Sequence, residues 1–188
     1  ARAGSGAGAL SVVEVRPGRG ARGSLDSTAA RAPRRGRLPE AAVAAADRLG
    51  KRERQRRLLD KLSDLDLSRD PVAAGRVYLL HGRYAVSTGQ YGAARGMLHN
   101  ALTFFERGKD EMQQSEALRR QALLLSHVGE MGDAARMAHR ALTLAATDKQ
   151  RARSHLALAI IDLLANHFAD ALRHSDRAQK ALRGTDPA

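Results

Sequence analysis

The chain has 188 residues, of which 43% are hydrophobic and only 3% aromatic, with no Trp and a formal net charge of +12. That length accommodates one domain, or one domain with a long tail, and a core filled by Ala and Leu suits closely approaching helices better than a β-sandwich. The absence of Cys removes disulfides, zinc–thiolate sites and thiol catalysis, and no apolar run approaches the ~18 residues that span a bilayer.

The charge is unevenly placed. Residues 1–38 hold eight Arg against Glu14 and Asp26 alone, so half of the net surplus sits there. A surplus of that sign favours acidic partners, nucleic acid or anionic lipid. The segment is rich in Gly, Ala and Arg, and only "LSVVEV" (Leu10–Val15) hints at a strand. A lone strand cannot satisfy its backbone, so the segment reads as a mostly irregular basic region. "GSGAGA" fits the Gly-x-Gly-x-x-Ala pattern of dinucleotide sites, but its glycines precede the strand-like residues instead of following them, which favours a flexible tail. The chain begins with Ala and has no charged-then-apolar leader pattern. It reads as a cytoplasmic fragment or processed product without membrane contact.

Residues 39–70 predict a helical hairpin. "LPEAAVAAADRLG" is a short helix from Pro39 to Leu49 stopped by Gly50, and "KRERQRRLLDKLSDLDL" places Leu58, Leu59, Leu62 and Leu65 on one helical stripe. The pair serves as an N-terminal cap or as a degenerate repeat. Lys51, Arg52, Arg54, Arg56 and Arg57 make the densest basic cluster. It can face phosphate or an acidic partner, although a solvated helix face is the simpler reading, and the aromatic interleaving used for base stacking is missing. "DLDLSRDP" spaces Asp64, Asp66, Ser68 and Asp70 like the start of a calcium loop. Arg69 stands where the turn glycine belongs and Gly75 where the bidentate Glu belongs, so acids at a helix end explain the stretch.

Asp70–Pro71 then reads as an N-cap followed by proline at the first helical position, and beyond it the chain repeats itself. Gly89, Tyr91, Ala94, Leu98 and Ala101 are matched at the same offsets by Gly129, Met131, Ala134, Ala138 and Ala141. A third copy supplies Asn166, Phe168, Ala171, Ser175 and Ala178, after steps of 40 and then 37 residues. Asn replaces Gly at a turn where both tolerate a left-handed backbone. Seven residues before each turn lies a small residue, Gly82, Ala122 or Ala159, and further upstream Tyr78, Leu118 and His155. The predicted hairpins are 71–88 with 91–107, 111–128 with 133–146, and 149–165 with 169–183. Asp110 and Asp148 are the expected caps of the second and third first-helices, and Gly184 the expected stop. The glycine turns the chain, Tyr91 covers the hairpin end, and the small residues let neighbouring helices approach.

These positions resemble the tetratricopeptide repeat (TPR), whose helix A carries a large residue then a small one and whose helix B carries small, large, small. The resemblance covers residues 71–183, with repeats at about 71–108, 111–147 and 149–184 in a region 71–188. It implies an all-α fold of antiparallel helix pairs in a right-handed superhelical solenoid. The repeats exceed the usual length of about 34 residues, and in this they are similar to the TPR arrays of bacterial signal-transducing and transcriptional regulators. A helical bundle rich in Ala is the plainer alternative. The third copy departs most, with Asp162, His155 and Ser175 at positions that want other residues.

In TPR proteins the A helices line a concave groove in which ligands lie. Carried over, the groove positions are Leu79, Arg83 and Val86, then Arg119, Leu123 and His127, then Leu156, Ile160 and Leu164, with Arg76 and Arg153 at the rim. Apolar pockets mixed with Arg suit a protein or peptide partner, acidic and amphipathic. The paired Asn of chaperone-tail clamps is absent. No catalytic constellation, cofactor motif or metal-ligand spacing emerges: the seven His are scattered, and His167 and His174 straddle a predicted turn. The expected function is thus a non-enzymatic protein–protein interaction module, a scaffold or sensor part of a regulator. The alternatives are a nucleic-acid-binding accessory protein, using the basic cluster with Arg19, Arg22, Arg34, Arg35 and Arg37, and a self-association module that forms a homodimer.

Overall fold

Short polar punctuation marks cut the chain into helices, and each does so by a recognisable bond. In the computed structural model, which describes residues 37–184, the helices are α1 (Arg37–Arg48), α2 (Arg52–Ser63), α3 (Pro71–Ser87), α4 (Tyr91–Arg107), α5 (Glu111–His127), α6 (Met131–Thr143), α7 (Asp148–Leu164) and α8 (Phe168–Arg183). The described residues are all helix and connection, with no strand among them. The expected irregular segment, with "GSGAGA" and "LSVVEV", lies outside the described residues except for its last two, which open α1.

The helix starts follow capping chemistry. The Asp70 carboxylate accepts from the Ala73 N–H at 2.9 Å, and that of Asp110 from the Gln113 N–H at 3.0 Å. The third expectation is corrected: Thr147, not Asp148, caps α7. The Thr147 hydroxyl accepts from the Gln150 N–H and the Gln150 side chain accepts from the Thr147 N–H, both at 3.2 Å. This reciprocal pair satisfies two orphan amides, which a lone carboxylate one residue later cannot. Asp148 becomes the first helical residue and pairs with Arg151.

The helix ends share one turn. Gly50, Gly89, Gly129 and Asn166 have φ of 64°, 74°, 85° and 63°, as their residue types predict. In each case the next N–H reaches back to the carbonyl five residues earlier: Gln90 to Ala85 at 2.8 Å, Glu130 to Leu125 at 2.9 Å, His167 to Asp162 at 2.8 Å. That bond defines a Schellman end. Lys109 (φ 52°) makes the same turn between α4 and α5, with Asp110 bonding back to Phe105 at 3.0 Å. Gly184 follows α8 as expected but stays right-handed at φ −71°.

Small residues set how closely the helices pack. Ala94, Leu98, Ala101 and Phe105 of α4 are 0% exposed. Gly75 and Gly82 of α3 lie under Phe105 and Leu98, with so little room that an added Cβ would come within 2.6 and 2.7 Å of those side chains. Contact of residue 75 with 105 and of 82 with 98 makes α3 and α4 antiparallel. The second pair repeats the arrangement: Ala122, Ala134, Ala138 and Ala141 are fully buried, and the Ser115 hydroxyl donates to the Ala141 carbonyl at 2.7 Å. In the third, the buried residues are Ala171 and Ala178 of α8 and Ala152, Ser154, Ala157, Leu158 and Ile161 of α7.

Consecutive pairs then stack. α4 packs on α5 and α6 on α7, while α3 touches α5 and α5 touches α7. One apolar cluster runs from Leu79 through Leu98 and Phe105 to Leu118 and Leu124, and a second joins Ala122, Ala134 and Ala138 to Leu158 and Ile161. The α1–α2 pair seats Val43, Leu59 and Leu62 against Val77, Leu80 and Tyr84 of α3. Of its predicted stripe, Leu65 falls beyond α2 and is exposed.

Candidate functional site

The contact of α3 with α5 and of α5 with α7 leaves one face of the odd-numbered helices as a surface of its own. On it, Arg83, Val86 and Ser87 of α3 meet Arg120, Leu123 and His127 of α5 around a recess of 210 Å³, floored by Leu98 and closed at one side by Asp47 of α1. Two carboxylates hold the cations here, each shared by a pair of guanidiniums. Asp47 accepts from Arg83 Nη2 at 2.9 Å and from Arg52 Nη1 at 2.6 Å. Glu116 accepts from Arg119 Nε and Nη2 at 3.1 and 2.6 Å, and from Arg120 Nε at 2.9 Å.

Burial works against four of these charges, those of Asp47, Glu116, Arg83 and Arg119. It pushes the Asp47 and Glu116 carboxyls up, but hydrogen bonds and charge from Arg52 and Arg83, and from Arg119 and Arg120, outweigh it and hold both below their ordinary values. Burial, then repulsion from Arg120, draws Arg83 down, and Arg119 is lowered by burial against the attraction of Glu116. These four remain charged at neutral pH, because an opposite charge beside each offsets the desolvation.

Of the residues expected in the groove, Arg83, Val86, Leu123 and His127 line the recess. Leu79 and Arg119 do not reach it as open surface: they are 7% and 8% exposed, Leu79 in the core and Arg119 clamped on Glu116. Arg76 is half-buried and Arg153 exposed. Leu156, Ile160 and Leu164 of α7 are 44%, 43% and 47% exposed, and Leu163, Phe168 and Leu172 add to the open apolar surface of the last pair. In the basic cluster Lys51, Arg54, Arg56 and Arg57 face solvent, while Arg52 turns toward Asp47. Tyr91, expected to cover its hairpin end, also reaches the neighbouring pair. It is 39% exposed and stacks on His127 of the next pair, with ring centroids 6.2 Å apart.

Asp47 and Arg120 belong to the site and were not legible in the repeat pattern. Asp47 precedes the repeats, and Arg120 stands one residue beyond the groove register, brought round by the helix to the face that Arg119 leaves. Comparison with protein-family models and with curated proteins gives no match for this chain. Its functional reading therefore rests on this geometry.

A second cluster joins three helices. His155 Nδ1 of α7 lies 3.1 Å from His174 Nδ1 of α8, and the His139 ring of α6 meets His174 edge-on at 6.2 Å between centroids. Asp162 stands 3.9 Å from His174 Nε2. Burial pushes both His155 and His174 down, helped at His155 by the charge of His174 and Arg177 and opposed at His174 by Asp162. Among the described residues no group of three or more such side chains is arranged to hold a metal ion, and no helix is long and apolar enough to cross a membrane. The calcium-like acids are used locally: Asp66 accepts from the Ser68 N–H at 3.1 Å, and Asp70 caps α3.

Proposed function

We propose that residues 71–184 are a TPR-like array, a short right-handed superhelix, acting as a protein–protein interaction module whose partner lies along α3, α5 and α7. It has no enzymatic role and serves as a scaffold or sensor part of a regulator of the bacterial, cytoplasmic kind. Support comes from the repeat register itself. Three turns at Gly89, Gly129 and Asn166 share the left-handed conformation, and the small residues five and twelve positions later (Ala94 and Ala101, Ala134 and Ala141, Ala171 and Ala178) are buried in all three pairs.

The observation that carries the binding reading is the recess. Side chains at matching positions of two successive repeats, Arg83 with Leu123 and Ser87 with His127, converge on one cavity that mixes cationic and apolar walls. Such a lining recognises a peptide by charge and apolar anchoring together. Capture from lysate with the full chain, with and without nuclease treatment, tests it beside an Arg83→Glu/Arg120→Glu variant. Arg120 is the better target than Arg119, since Glu at 119 would place a second carboxylate against half-buried Glu116. A protein kept by the wild type and lost by the variant supports the groove. Retention of nuclease-sensitive material alone moves the function to the Lys51–Arg57 cluster and residues 1–38.

Self-association is favoured by a specific observation of its own, the open apolar face of Leu156, Ile160, Leu163 and Phe168. It predicts a dimer by sedimentation that Ile160→Glu converts to monomer.

A further inference from the structure

The groove changes character along its length. Positions Arg83 and Leu123 correspond to Ile160, and Ser87 and His127 correspond to Leu164, by the same steps of 40 and 37 residues. The face is cationic over α3 and α5 and apolar over α7, where Ile160 and Leu164 are 43% and 47% exposed. Four guanidiniums, of Arg52, Arg83, Arg119 and Arg120, share only the carboxylates of Asp47 and Glu116. The two that reach the recess are each held at one nitrogen, Arg83 through Nη2 and Arg120 through Nε. Each fork therefore keeps further donors for a carboxylate, which guanidinium binds in two-pronged fashion.

Asp47 shows that a carboxylate fits beside Arg83. It belongs to α1, not to the repeats. Its hairpin joins the array mainly through α2 and through Val43 in a small apolar cluster with Leu59 and Leu62.

Resting on the groove reading above, we propose that Arg83 and Arg120 form a socket for a side-chain carboxylate of an acidic peptide segment, and that Asp47 of the α1–α2 hairpin is a built-in competitor for it. The segment carries apolar residues beside the acid, which rest on Leu123, Ile160 and Leu164. Arg52 holds the Asp47 carboxylate in place, and binding exchanges the intramolecular carboxylate for the partner's. Affinity is thereby reduced by the fraction of molecules in which Asp47 fills the socket. The lack of Phe, Tyr or Trp in the lining of the recess, together with its apolar walls, favours a peptide over a nucleic-acid strand.

The test uses the full chain and a random 12-residue peptide library displayed on phage, then fluorescence polarisation with the best enriched peptide. Folding of each variant is checked by circular dichroism and thermal melting. The expected peptides hold Asp or Glu beside Leu, Ile or Phe. Arg83→Gln/Arg120→Gln should weaken binding roughly tenfold or more, the size of a lost charged hydrogen bond. Arg83→Lys/Arg120→Lys, which keeps the charge and loses the fork, should fall between, and Asp47→Asn should tighten binding. All variants retain the basic N-terminal residues, so a general attraction to acidic peptides cancels.

Peptides without acids, insensitive to Arg83 and Arg120 but lost in Leu123→Glu, would overturn the socket and leave the groove standing. No enrichment, or binding that ignores Leu123 as well, would overturn both. Unchanged affinity in a folded Asp47→Asn chain would overturn the competition. A 20-nucleotide single-stranded DNA bound with the same dependence on Arg83 and Arg120, and more tightly than any peptide, would overturn the assignment to a peptide.

Discussion

Replacing Gly82 by Ala sets two effects of known size against each other. In a helix interior Ala is favoured over Gly by ~1 kcal/mol, so an unobstructed glycine of α3 or α4 should gain stability from the change. At Gly82 the added Cβ would stand 2.7 Å from Leu98 Cδ2 and 2.8 Å from its Cγ, about 1 Å inside the usual carbon–carbon contact. Leu98 is 0% exposed, so the contact is relieved only by pushing Leu98 toward the recess it floors or by moving the two helices apart. Overpacking of that kind costs ~1–3 kcal/mol, so the net expectation is a loss of up to ~2 kcal/mol, or several degrees in Tm for a domain this size. Gly96 of α4, with nothing within 4 Å of its added Cβ, is the control and should gain up to ~1 kcal/mol. The second helix pair suggests the rescue, because Ala122 and Ala138 occupy the places of Gly82 and Leu98 there, both 0% exposed. Leu98→Ala alone should lose ~2–5 kcal/mol, but distinctly less in the Gly82→Ala background, which partly fills the cavity. Urea unfolding followed by far-UV circular dichroism measures all four members of the cycle. If Gly82→Ala stabilised as much as Gly96→Ala, and its effect simply added to that of Leu98→Ala, the close approach of α3 and α4 would be refuted.

Two serines should behave oppositely. Ser115 bridges α5 to the Ala141 carbonyl and is buried, so Ser115→Ala should lose ~1 kcal/mol, whereas the Ser154 hydroxyl is buried with no partner and Ser154→Ala should be neutral or stabilising. Urea midpoints separate the two, and a loss at Ser154 matching that at Ser115 would show that its hydroxyl is bonded. The histidine pair makes stability depend on pH. His155 and His174 are lowered in the fold, so the unfolded chain binds more protons. Their contribution is intact above the unfolded value of about 6.5 and is lost as pH falls through the lowered folded values. His155→Leu/His174→Met, the residues at Leu118 and Met137 in the preceding pair, should flatten the decline between pH 7.5 and 5. His81, also lowered by burial, contributes what remains. An unchanged slope in that variant would assign the whole dependence elsewhere.

The helices were legible because their punctuation is local. A glycine or asparagine at a left-handed turn, an Asp before a helix, and Ala at fixed offsets are read within a few residues, and the hairpin limits follow from them. Where a competing local bond existed, the sequence reading chose the less complete one: Asp148 over the reciprocal Thr147–Gln150 pair. Lys109 was missed because its side chain carries no preference for the turn, which is imposed by helices packing on both sides. The site was legible only in register. Repetition brought Arg83 and Leu123 to one face, but it could not tell that Arg119 would be drawn inward by Glu116 while Arg120 took the open position. Asp47 required knowing how a hairpin outside the repeats docks. The histidine pair did leave a trace, since His155 and His174 replace Tyr78 and Met97, and Leu118 and Met137, at the seam of the earlier pairs.

The shared carboxylates explain why the cationic part of this face can exist at all. A guanidinium drawn out of water needs an anion close by, and one carboxylate per guanidinium would leave no charge to recognise a partner. Asp47 and Glu116 each hold two. The arrangement supplies enough negative charge to keep Arg83 and Arg119 in partly or fully buried positions while the face remains net positive. It also fixes the forks: Arg119, bonded to Glu116 through two nitrogens, orients the carboxylate that in turn orients Arg120. Donors held in this way lose little freedom when a ligand arrives. Over α7 the matching positions are Ile160 and Leu164, which need no counter-charge, and its two acids lie elsewhere, Asp148 paired with Arg151 and Asp162 beside His174. The placement of Asp47 and Glu116 thus follows from where guanidiniums are drawn out of water, and the same placement leaves this face cationic over α3 and α5 and apolar at Ile160 and Leu164 of α7.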